Sequence, residues 1–523
     1  MASPLSPSTY DGWTREELIA RLQELDARPK KRPPSPKPRI KKTFQFNTYS
    51  RRKIALKFCY SGWEYGGLAF QNQKTTLPTV EGVIFDALVK ARLIDPEGGL
   101  DGCGWERCGR TDRGVSAAGQ VISLWVRSAL KSDAVVEDNA AKVASSTSRS
   151  PEMTADLEND SSPLNPVEGE STIQGLEFGF DEDDLKDVPL NSSLSKSTSI
   201  QKETFEHDYL LILNRILPQT IRILAWSPVS NDFSARFSCK YRHYKYFFST
   251  NTAPGSALDV ERMRNAASNL VGEHDFRNLC KVDPSKQITM FKRKVLNAEI
   301  DPISVDSEGN GNYVFNLVGT AFLYHQVRHI MAVLFMVGHG QEDPSVITSL
   351  MNVEEGLEPG ATEVVDCKPE YQMADALPLL LWDCGYPEGD LDWRTTNGAT
   401  LSDGDEGGRS ELFQQMHSIH LRSQIYTALN NHFLLAASRL HLPKGGATVP
   451  STPSSSVAKL MIPLGGGMYK RTGQDKYIPL LRRNRLDHVD ITNERWRLGK
   501  GFRRNERQKF SEEEGIDGPD GNE

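Results

Sequence analysis

Between Lys131 and Phe205 the chain loses the features a folded core needs. The stretch is rich in Ser, Asp and Glu, poor in aromatic residues and without a sustained apolar period. It holds 16 acidic and 6 basic residues, a balance of −10. Such a segment cannot bury enough apolar surface to offset the entropy of ordering its backbone, and it is predicted to be disordered. The fold must therefore be assembled from the residues on either side, where strands and helices alternate in two similar halves.

The first half opens after a short helix. Thr14-Arg15-Glu16-Glu17 reads as a capping box, and Leu18, Leu22 and Leu25 follow at helical spacing. Arg28 to Ile40 is a Pro/Lys linker, extended rather than folded. Ile54, Leu56 and Phe58 alternate as a strand; Gly62 and Gly66-Gly67 mark a loop; Thr79 caps a helix carrying Val80, Ile84, Leu88 and Ala91 on one face; Gln120 to Val126 is a strand. After the insertion, Tyr209 to Ile223 reads as a helix ended by Pro218 and then a strand. Arg242 to Phe248 is an aromatic strand, Asp259 caps a helix with Met263, Ala266, Ala267 and Leu270, and Tyr313, Phe315 and Leu317 alternate as a strand. Phe322 to Val337 is a strongly apolar helix. A last long helix places Ile425, Leu429, Phe433, Ala437 and Leu440 on its buried side. The pattern implies an α/β (α+β) core with helices on one face of a sheet.

The net charge of −7 over 523 residues is an average of unlike parts. Glu388 to Glu411 has 7 acidic and 2 basic residues, and Ser511 to Glu523 has 6 acidic and none basic. With the insertion these sum to −21, so the remainder is +14. An acidic protein that avoids nucleic acid is thereby excluded as a conclusion. Arg28 to Lys57 holds 12 Lys or Arg and no acid, and Lys476 to Phe510 holds 11 basic and 4 acidic residues. Charge alone favours reading these runs as solvated tails or a localisation signal; phosphate contact is the alternative. The most apolar run, Met331 to Val337, is too short for a membrane span. The polar, Pro-rich N-terminus lacks an apolar signal region, so secretion is not expected. Seven cysteines without CxxC suit a reducing compartment.

Three places can carry chemistry. In Cys108-Gly109-Arg110-Thr111-Asp112-Arg113-Gly114-Val115, an Asp lies between two arginines on a turn before a strand. Flanking cations keep a carboxylate ionised, and an ionised carboxylate can serve as nucleophile or base. An Asp-capped turn with surface arginines fits the same residues. In Tyr241-Arg242-His243-Tyr244-Lys245-Tyr246, Tyr244 and Tyr246 share one strand face. Rings among cations form a platform for an unstacked base, although ordinary aromatic packing is favoured on this feature alone. Arg328 sits among Val327, Ile330 and Met331, where a cation needs a carboxylate partner unless it snorkels at the helix edge. There is no GxxxxGK[ST] loop and no His/Cys cluster at metal-ligand spacing, and Gly465 to Gly467 reads as a flexible loop.

Gly109-Arg110-Thr111-Asp112-Arg113-Gly114-Val115 resembles the catalytic loop of TruA-type tRNA pseudouridine synthases. Asp232-Phe233-Ser234-Ala235-Arg236-Phe237 with His243-Tyr244-Lys245-Tyr246 resembles that family's second motif, and Phe322-Leu323-Tyr324-His325-Gln326-Val327-Arg328 its third. Asn214-Arg215-Ile216-Leu217-Pro218 is similar to the segment linking the first two, and Pro378-Leu379-Leu380-Leu381 with Tyr386-Pro387 to the closing strand. Gly62-Trp63-Glu64-Tyr65-Gly66-Gly67-Leu68-Ala69 and His274-Asp275-Phe276-Arg277-Asn278-Leu279-Cys280, with the N-terminal leucine helix and basic linker, resemble the eukaryotic branch acting at tRNA positions 38 and 39 of the anticodon stem-loop. The acidic insertion departs from the compact bacterial pattern.

The resemblance implies two α/β halves whose antiparallel sheets join into one central sheet around a basic cleft. It implies isomerisation of uridine to pseudouridine in tRNA, with no cofactor and no metal. Asp112 would be the nucleophile, attacking the ribose C1′ or the uracil ring, and Arg328 would pair with it. Tyr244 would stack on the uracil and help remove the C5 proton. Arg110 would fill the space left by the flipped nucleotide, whose extrusion costs a few kcal/mol. Arg113 and Tyr246 are further substrate-binding candidates, and Leu379 and Leu381 would close the uracil pocket. Bacterial relatives are homodimers, which sets the same expectation here. The eukaryotic branch and the Lys/Arg linker imply nucleus and cytoplasm, with no membrane partner. The expected layout is helix and linker over 1–50, a first catalytic half over 51–230 holding the insertion 131–205, a second half over 231–387, an acidic loop over 388–411, a helix and basic extension over 412–510 and an acidic tail over 511–523. Three competing functions remain: a synthase with other tRNA or mRNA targets, a catalytically idle RNA-binding module, or a glycosidic hydrolase. The hydrolase would need a second acid near Asp112, and the loop offers only Glu106.

Overall fold

The apolar alternation of Ile54, Leu56 and Phe58 forms strand β1 (Arg51–Tyr60), whose side chains at these positions are fully buried. The structure is a computed structural model that describes residues 12–27, 44–71, 75–130, 205–250, 258–307, 311–395, 407–441 and 477–503. The predicted linker 28–40, nearly all of the insertion 131–205, the glycine run 465–467 and the acidic tail 511–523 lie outside the described residues. The chain divides into two units, Met1–Thr48 and Tyr49–Glu523. In the first, helix α1 (Arg15–Ala27) is capped as its sequence predicts: Thr14 N donates to Glu17 Oε2 at 2.8 Å, and Glu17 N donates to Thr14 Oγ1 at 3.4 Å.

The second unit is built on one mixed sheet. β1 pairs antiparallel with β3 (Ser116–Arg127) on one side and β4 (Ile221–Pro228) on the other, while the short β2 (Glu106–Arg107) pairs with β3. The second half contributes β5 (Tyr241–Ser249), β6 (Gly272–Asp275), β7 (Lys292–Val305), β8 (Gly311–Gly319) and β9 (Leu379–Gly385). The strand order is β4-β1-β3-β9-β5-β8-β7-β6. All neighbours are antiparallel except at the joint between the halves, where β3 and β9 run parallel with Ser116 opposite Leu380. Gly119 makes that joint possible: a Cβ there would lie 2.5 Å from the Trp382 carbonyl oxygen.

Helices follow the predicted caps. Thr79 Oγ1 accepts from Gly82 N at the start of α2 (Val80–Lys90), and Asp259 Oδ1 accepts from Arg262 N at the start of α4 (Val260–Ser268). Between them, α3 (Tyr209–Ile216) precedes β4. The apolar helix begins later than its hydrophobicity suggests, as α5 (Gln326–Gly338). The chain turns at His325, with φ 58°, and the Gln326 side chain accepts Leu323 N at 2.8 Å, so 322–324 stay outside the helix. On β5, Tyr244, Tyr246 and Phe248 are buried, and the latter two rings pack edge-on against Phe335 of α5 at 6.1 and 5.8 Å; Tyr241 and Phe247 on the opposite face are exposed. One face of the second half is thus covered by helix, as its period requires.

Three expectations need correcting. The long helix α6 (Gly407–His441) forms, but its apolar residues are not buried: Ile425, Leu429, Phe433 and Leu440 are all exposed, Phe433 by 65%. A periodic stripe shows which side is apolar, not what covers it. The acidic loop 388–411 is shorter than read, because Arg394 exchanges backbone hydrogen bonds with Trp226 of β4 and α6 already begins at Gly407. The basic C-terminal run is in part structural: Leu480 is buried, its N–H donates to Glu342 Oε1 at 2.7 Å, and Asn493 on α7 (Val489–Trp496) donates to the Ile288 carbonyl at 3.2 Å.

The residues flanking the insertion are held at one point. Glu206 accepts from Ser128 Oγ at 2.7 Å, from the N–H groups of Ala129 and His207, and from Arg52 at 3.1 Å. The chain therefore leaves and re-enters the fold side by side, and the insertion leaves the sheet order intact.

Candidate active site

The loop bearing Asp112 is fixed before it reaches the carboxylate. Cys108 N donates to the Val121 carbonyl at 2.8 Å, and Gln120 Nε2 donates to the Gly109 carbonyl at 2.9 Å. Tyr60 Oη and Thr111 Oγ1 lie 2.6 Å apart, and Leu68 N donates to the Thr111 carbonyl. Gly67, at φ +113°, lets its own loop pass close behind: a Cβ would stand 3.4 Å from the Thr111 oxygen. Below, the fully buried Glu81 of α2 accepts from Phe70 N at 2.8 Å, Trp105 Nε1 at 2.9 Å and Arg107 Nε at 2.6 Å. This carboxylate holds β2 and the start of the loop against the helix.

The second half brings α5 to the same place. Arg328 Nη1 lies 3.6 Å from Asp112 Oδ2, and His325 Nε2 lies 3.2 Å from that same oxygen. Arg328 is braced from behind, its Nε donating to the Ala374 carbonyl at 2.8 Å while Ala374 N donates to the Arg328 carbonyl. The predicted partnership between Arg328 and a carboxylate is therefore present, and the carboxylate is Asp112. Arg242 spans the joint, donating to the carbonyls of Cys108 at 2.9 Å and Thr320 at 2.8 Å. The Arg236 segment is clamped on β3, with Ala235 N donating to Ser123 Oγ and Tyr386 Oη to the Ala235 carbonyl.

Asp112 faces a cleft of about 1380 Å³ lined by nine Lys or Arg residues and only two carboxylates, Asp112 and Asp283. That volume exceeds the roughly 300–1,000 Å³ of ordinary small-molecule sites, and the charge suits a polyanion. Burial, and then the neighbouring Arg107, lower the Arg110 guanidinium below its ordinary pKa. Burial pushes the Tyr244 hydroxyl well above its ordinary range, with the thiols of Cys384 and Cys108 adding to the effect, so Tyr244 is a neutral phenol at physiological pH.

Arg110, Asp112, Arg113, Tyr244, Arg328 and Leu379 all line this cleft. Tyr246 does not: it is fully buried, and its hydroxyl donates to the Asp375 carbonyl at 3.1 Å. The shared strand face that suggested it for the substrate is the face packed under α5. Leu381 is likewise buried opposite Tyr244 and does not line the cleft. Glu106 turns to Ser123 Oγ at 3.4 Å and is not among the lining residues, while Asp283 is engaged by Ser285 and Lys286.

Several lining groups were not singled out from sequence. His325 lies within its motif but carries no signal of its own in the sequence. Tyr324, 41% exposed, packs against His325 with ring centroids 3.7 Å apart and planes tilted by 31°, and has Lys281 and Lys286 within 5.7 and 5.6 Å of its ring. Arg242 did carry a signal, as a cation on an aromatic strand. Trp496 of α7 also lines the cleft and was unreadable, since it arrives from a segment that reads as a tail. Among the described residues no group of three or more His, Cys, Asp or Glu is placed to hold a metal ion, and no helix is long and apolar enough to cross a membrane.

A family model described as tRNA pseudouridine synthase matches residues 266–387. A Saccharomyces cerevisiae protein named tRNA pseudouridine(38/39) synthase is 34% identical over 511 residues, covering 94% of this chain and 92% of its own. The chain belongs to the tRNA pseudouridine synthase family. The human protein named tRNA pseudouridine(38/39) synthase is 36% identical over 66% of this chain and 58% of its own length. An archaeal tRNA pseudouridine synthase A, from Methanothrix thermoacetophila, is 28% identical over 65% of this chain and 85% of its own. The mixed nine-stranded sheet with its helices is consistent with the pseudouridine synthase fold. The span matched by the family model holds His325, Arg328 and Leu379, whereas Asp112 and Tyr244 precede it.

Proposed function

We propose that this chain isomerises uridine to pseudouridine in the anticodon stem-loop of tRNA, at positions 38 and 39, the positions in the names of its yeast and human relatives. The observation that carries the reading is Asp112 in a basic cleft, held on one oxygen by Arg328 and His325. The reaction conserves composition. The C1′–N1 bond breaks, a C1′–C5 bond forms, C5 loses its proton and N1 gains one. In one route an Asp112 oxygen bonds C1′ as the electron pair of the old bond leaves with N1, and C5 of the turned ring then displaces the carboxylate. In the other the carboxylate adds to the ring and is later expelled. Arg328 offsets the charge of the carboxylate and fixes it in place. Tyr244, as a neutral phenol beneath the cleft, packs against the uracil and takes part in relaying the C5 proton. Arg110 and Arg113, exposed on the Asp112 loop, bind the backbone of the extruded nucleotide, and Leu379 closes the apolar side of the pocket.

Two further parts of the reading are proposals of the same kind. The chain acts as a homodimer, supported by the exposed apolar side of α6. It works in nucleus and cytoplasm, supported by the Lys/Arg run of 28–42. Sedimentation and imaging of the tagged chain check them, and a monomeric species or exclusion from the nucleus would refute each in turn.

The test of the function is a tritium-release assay on C5-labelled tRNA with site mapping. tRNAs with uridine at 38 or 39 should release tritium and carry pseudouridine there. No release from any such tRNA would leave an idle binding module, and free uracil as product would mean hydrolysis.

A further inference from the structure

We propose that His325 is a positioning residue that, together with Arg328, occupies one oxygen of Asp112 and so designates the other, Oδ1, as the atom that meets the substrate. This rests on the reading of Asp112 as the reacting carboxylate. Both neighbours approach Oδ2, at 3.2 Å from His325 and 3.6 Å from Arg328. Among the described residues no hydrogen bond reaches Oδ1, and the Asp112 backbone carbonyl accepts Val115 N. On either route of the reaction the new bond is made by an Asp112 oxygen, and an oxygen with two nitrogen groups gathered beside it is the poorer nucleophile.

The ring of His325 is arranged for one task. Its side chain is only 7% exposed, and Nδ1 is buried without a hydrogen-bond partner among the described residues. A proton on Nδ1 would leave a buried donor unmatched, at a cost of about 1–3 kcal/mol. A proton on Nε2 instead lies beside a carboxylate oxygen, with 3.2 Å between Nε2 and Oδ2. Packing therefore selects the Nε2–H tautomer, and the carboxylate 3.2 Å away favours it too. The Tyr324 ring packs beside that of His325, 3.7 Å between centroids and tilted by 31°.

The backbone points the same way. His325 adopts φ 58° and ψ 12°, one of three non-glycine residues with positive φ among those described. This conformation costs a residue with a Cβ roughly 1–2 kcal/mol, and Asn tolerates it better than other side chains. It ends the approach from Phe322 and starts α5, placing His325 and Arg328 three residues apart on one face of the first turn, where both reach one oxygen. Backbone economy alone would put Asn or Gly here.

That conflict yields a decisive ranking. Gln can place a side-chain N–H near the position of Nε2, whereas Asn can mimic only Nδ1. Histidine 325 is to be replaced as His325→Gln, His325→Asn and His325→Ala in the full chain, with kcat, KM and Tm measured on one tRNA and Asp112→Asn run alongside. The proposal expects His325→Gln to keep kcat within about tenfold of wild type, and His325→Asn and His325→Ala to lose about a hundredfold in kcat, the scale of a roughly 1 Å misplacement, with KM nearly unchanged. Tm should rank the other way, with Asn highest. If kcat follows Tm, or if His325→Asn keeps wild-type kcat, the proposal is overturned; the latter result stands even if His325→Gln fails to fold. If Asp112→Asn is itself fully active, the assignment of Asp112 fails instead, and the two failures are distinguishable.

Discussion

Two arginine–carboxylate pairs in this molecule show what separates a structural carboxylate from a reactive one. At the root of the insertion, Arg52 and Glu206 meet at 3.1 Å with side chains 2% and 3% exposed, and Glu206 also accepts from Ser128, Ala129 and His207. Both of its oxygens are taken. In the cleft, Asp112 is 25% exposed, Arg328 stands 3.6 Å away, and both of its partners crowd onto one oxygen. A saturated carboxylate fixes a fold; a carboxylate held from one side and open on the other can form a new bond. The cost of holding Asp112 this way is borne by α5 and Ala374, which grip Arg328 from outside the cleft.

The contrast can be broken in several ways. Glu206→Ala removes the carboxylate that faces the buried Arg52 and gathers Ser128, Ala129 and His207, and should cost about 3–5 kcal/mol of stability in denaturant melts while activity per folded molecule is preserved. Burial alone would raise the Glu206 pKa, but the hydrogen bonds from Ala129, Ser128 and His207 and the charge of Arg52 outweigh it, leaving it below its ordinary 4.5. A depressed folded pKa gives stability that is present above the unfolded value and is lost as pH falls through the folded one. The stability gap between wild type and Glu206→Gln should therefore narrow in acid below about pH 4.5; a constant gap would detach Glu206 from this role.

Arg328→Lys should cost about 2.7–4 kcal/mol in the barrier, or roughly 10²–10³ in kcat, because an ammonium cannot reach both the Ala374 carbonyl and Asp112. Its Tm should move far less than that of Glu206→Ala. Replacing 131–204 by a Gly/Ser linker of about eight residues should raise stability by about 2 kcal/mol through a shorter closed loop and leave kcat unchanged, since Ser128, Ala129 and Glu206 already meet. A loss of kcat would give the insertion a catalytic part. The smallest effect belongs to Tyr246→Phe, which should cost about 1 kcal/mol for the bond to Asp375, with kcat and KM unchanged. A raised KM would restore Tyr246 to the substrate.

Much of this arrangement was legible in the sequence where local chemistry dictates local structure. The Thr14, Thr79 and Asp259 caps and the strands at Ile54 and Tyr313 all appear where their residues predict. Asp112, Tyr244 and Arg328 share a cleft although 132 residues separate the first two by number and 84 the last two. What escaped depends on long-range packing. Period two places Tyr244 and Tyr246 on one face but cannot say that the cleft ends between them. Period 3.6 marks the apolar side of α6 but not its cover. His325 owes its role to a backbone turn that His does not favour, so propensity points away from it.

The central claim is that Asp112 is the reacting group, and Asp112→Asn tests it most directly because it removes the charge and keeps the shape. The measurement is tritium release from C5-labelled tRNA, with pseudouridine mapped at positions 38 and 39 and Tm recorded on the same preparation. The account predicts a loss of at least about 10⁴-fold with tRNA binding and Tm close to wild type. Wild-type release by the folded variant would contradict it.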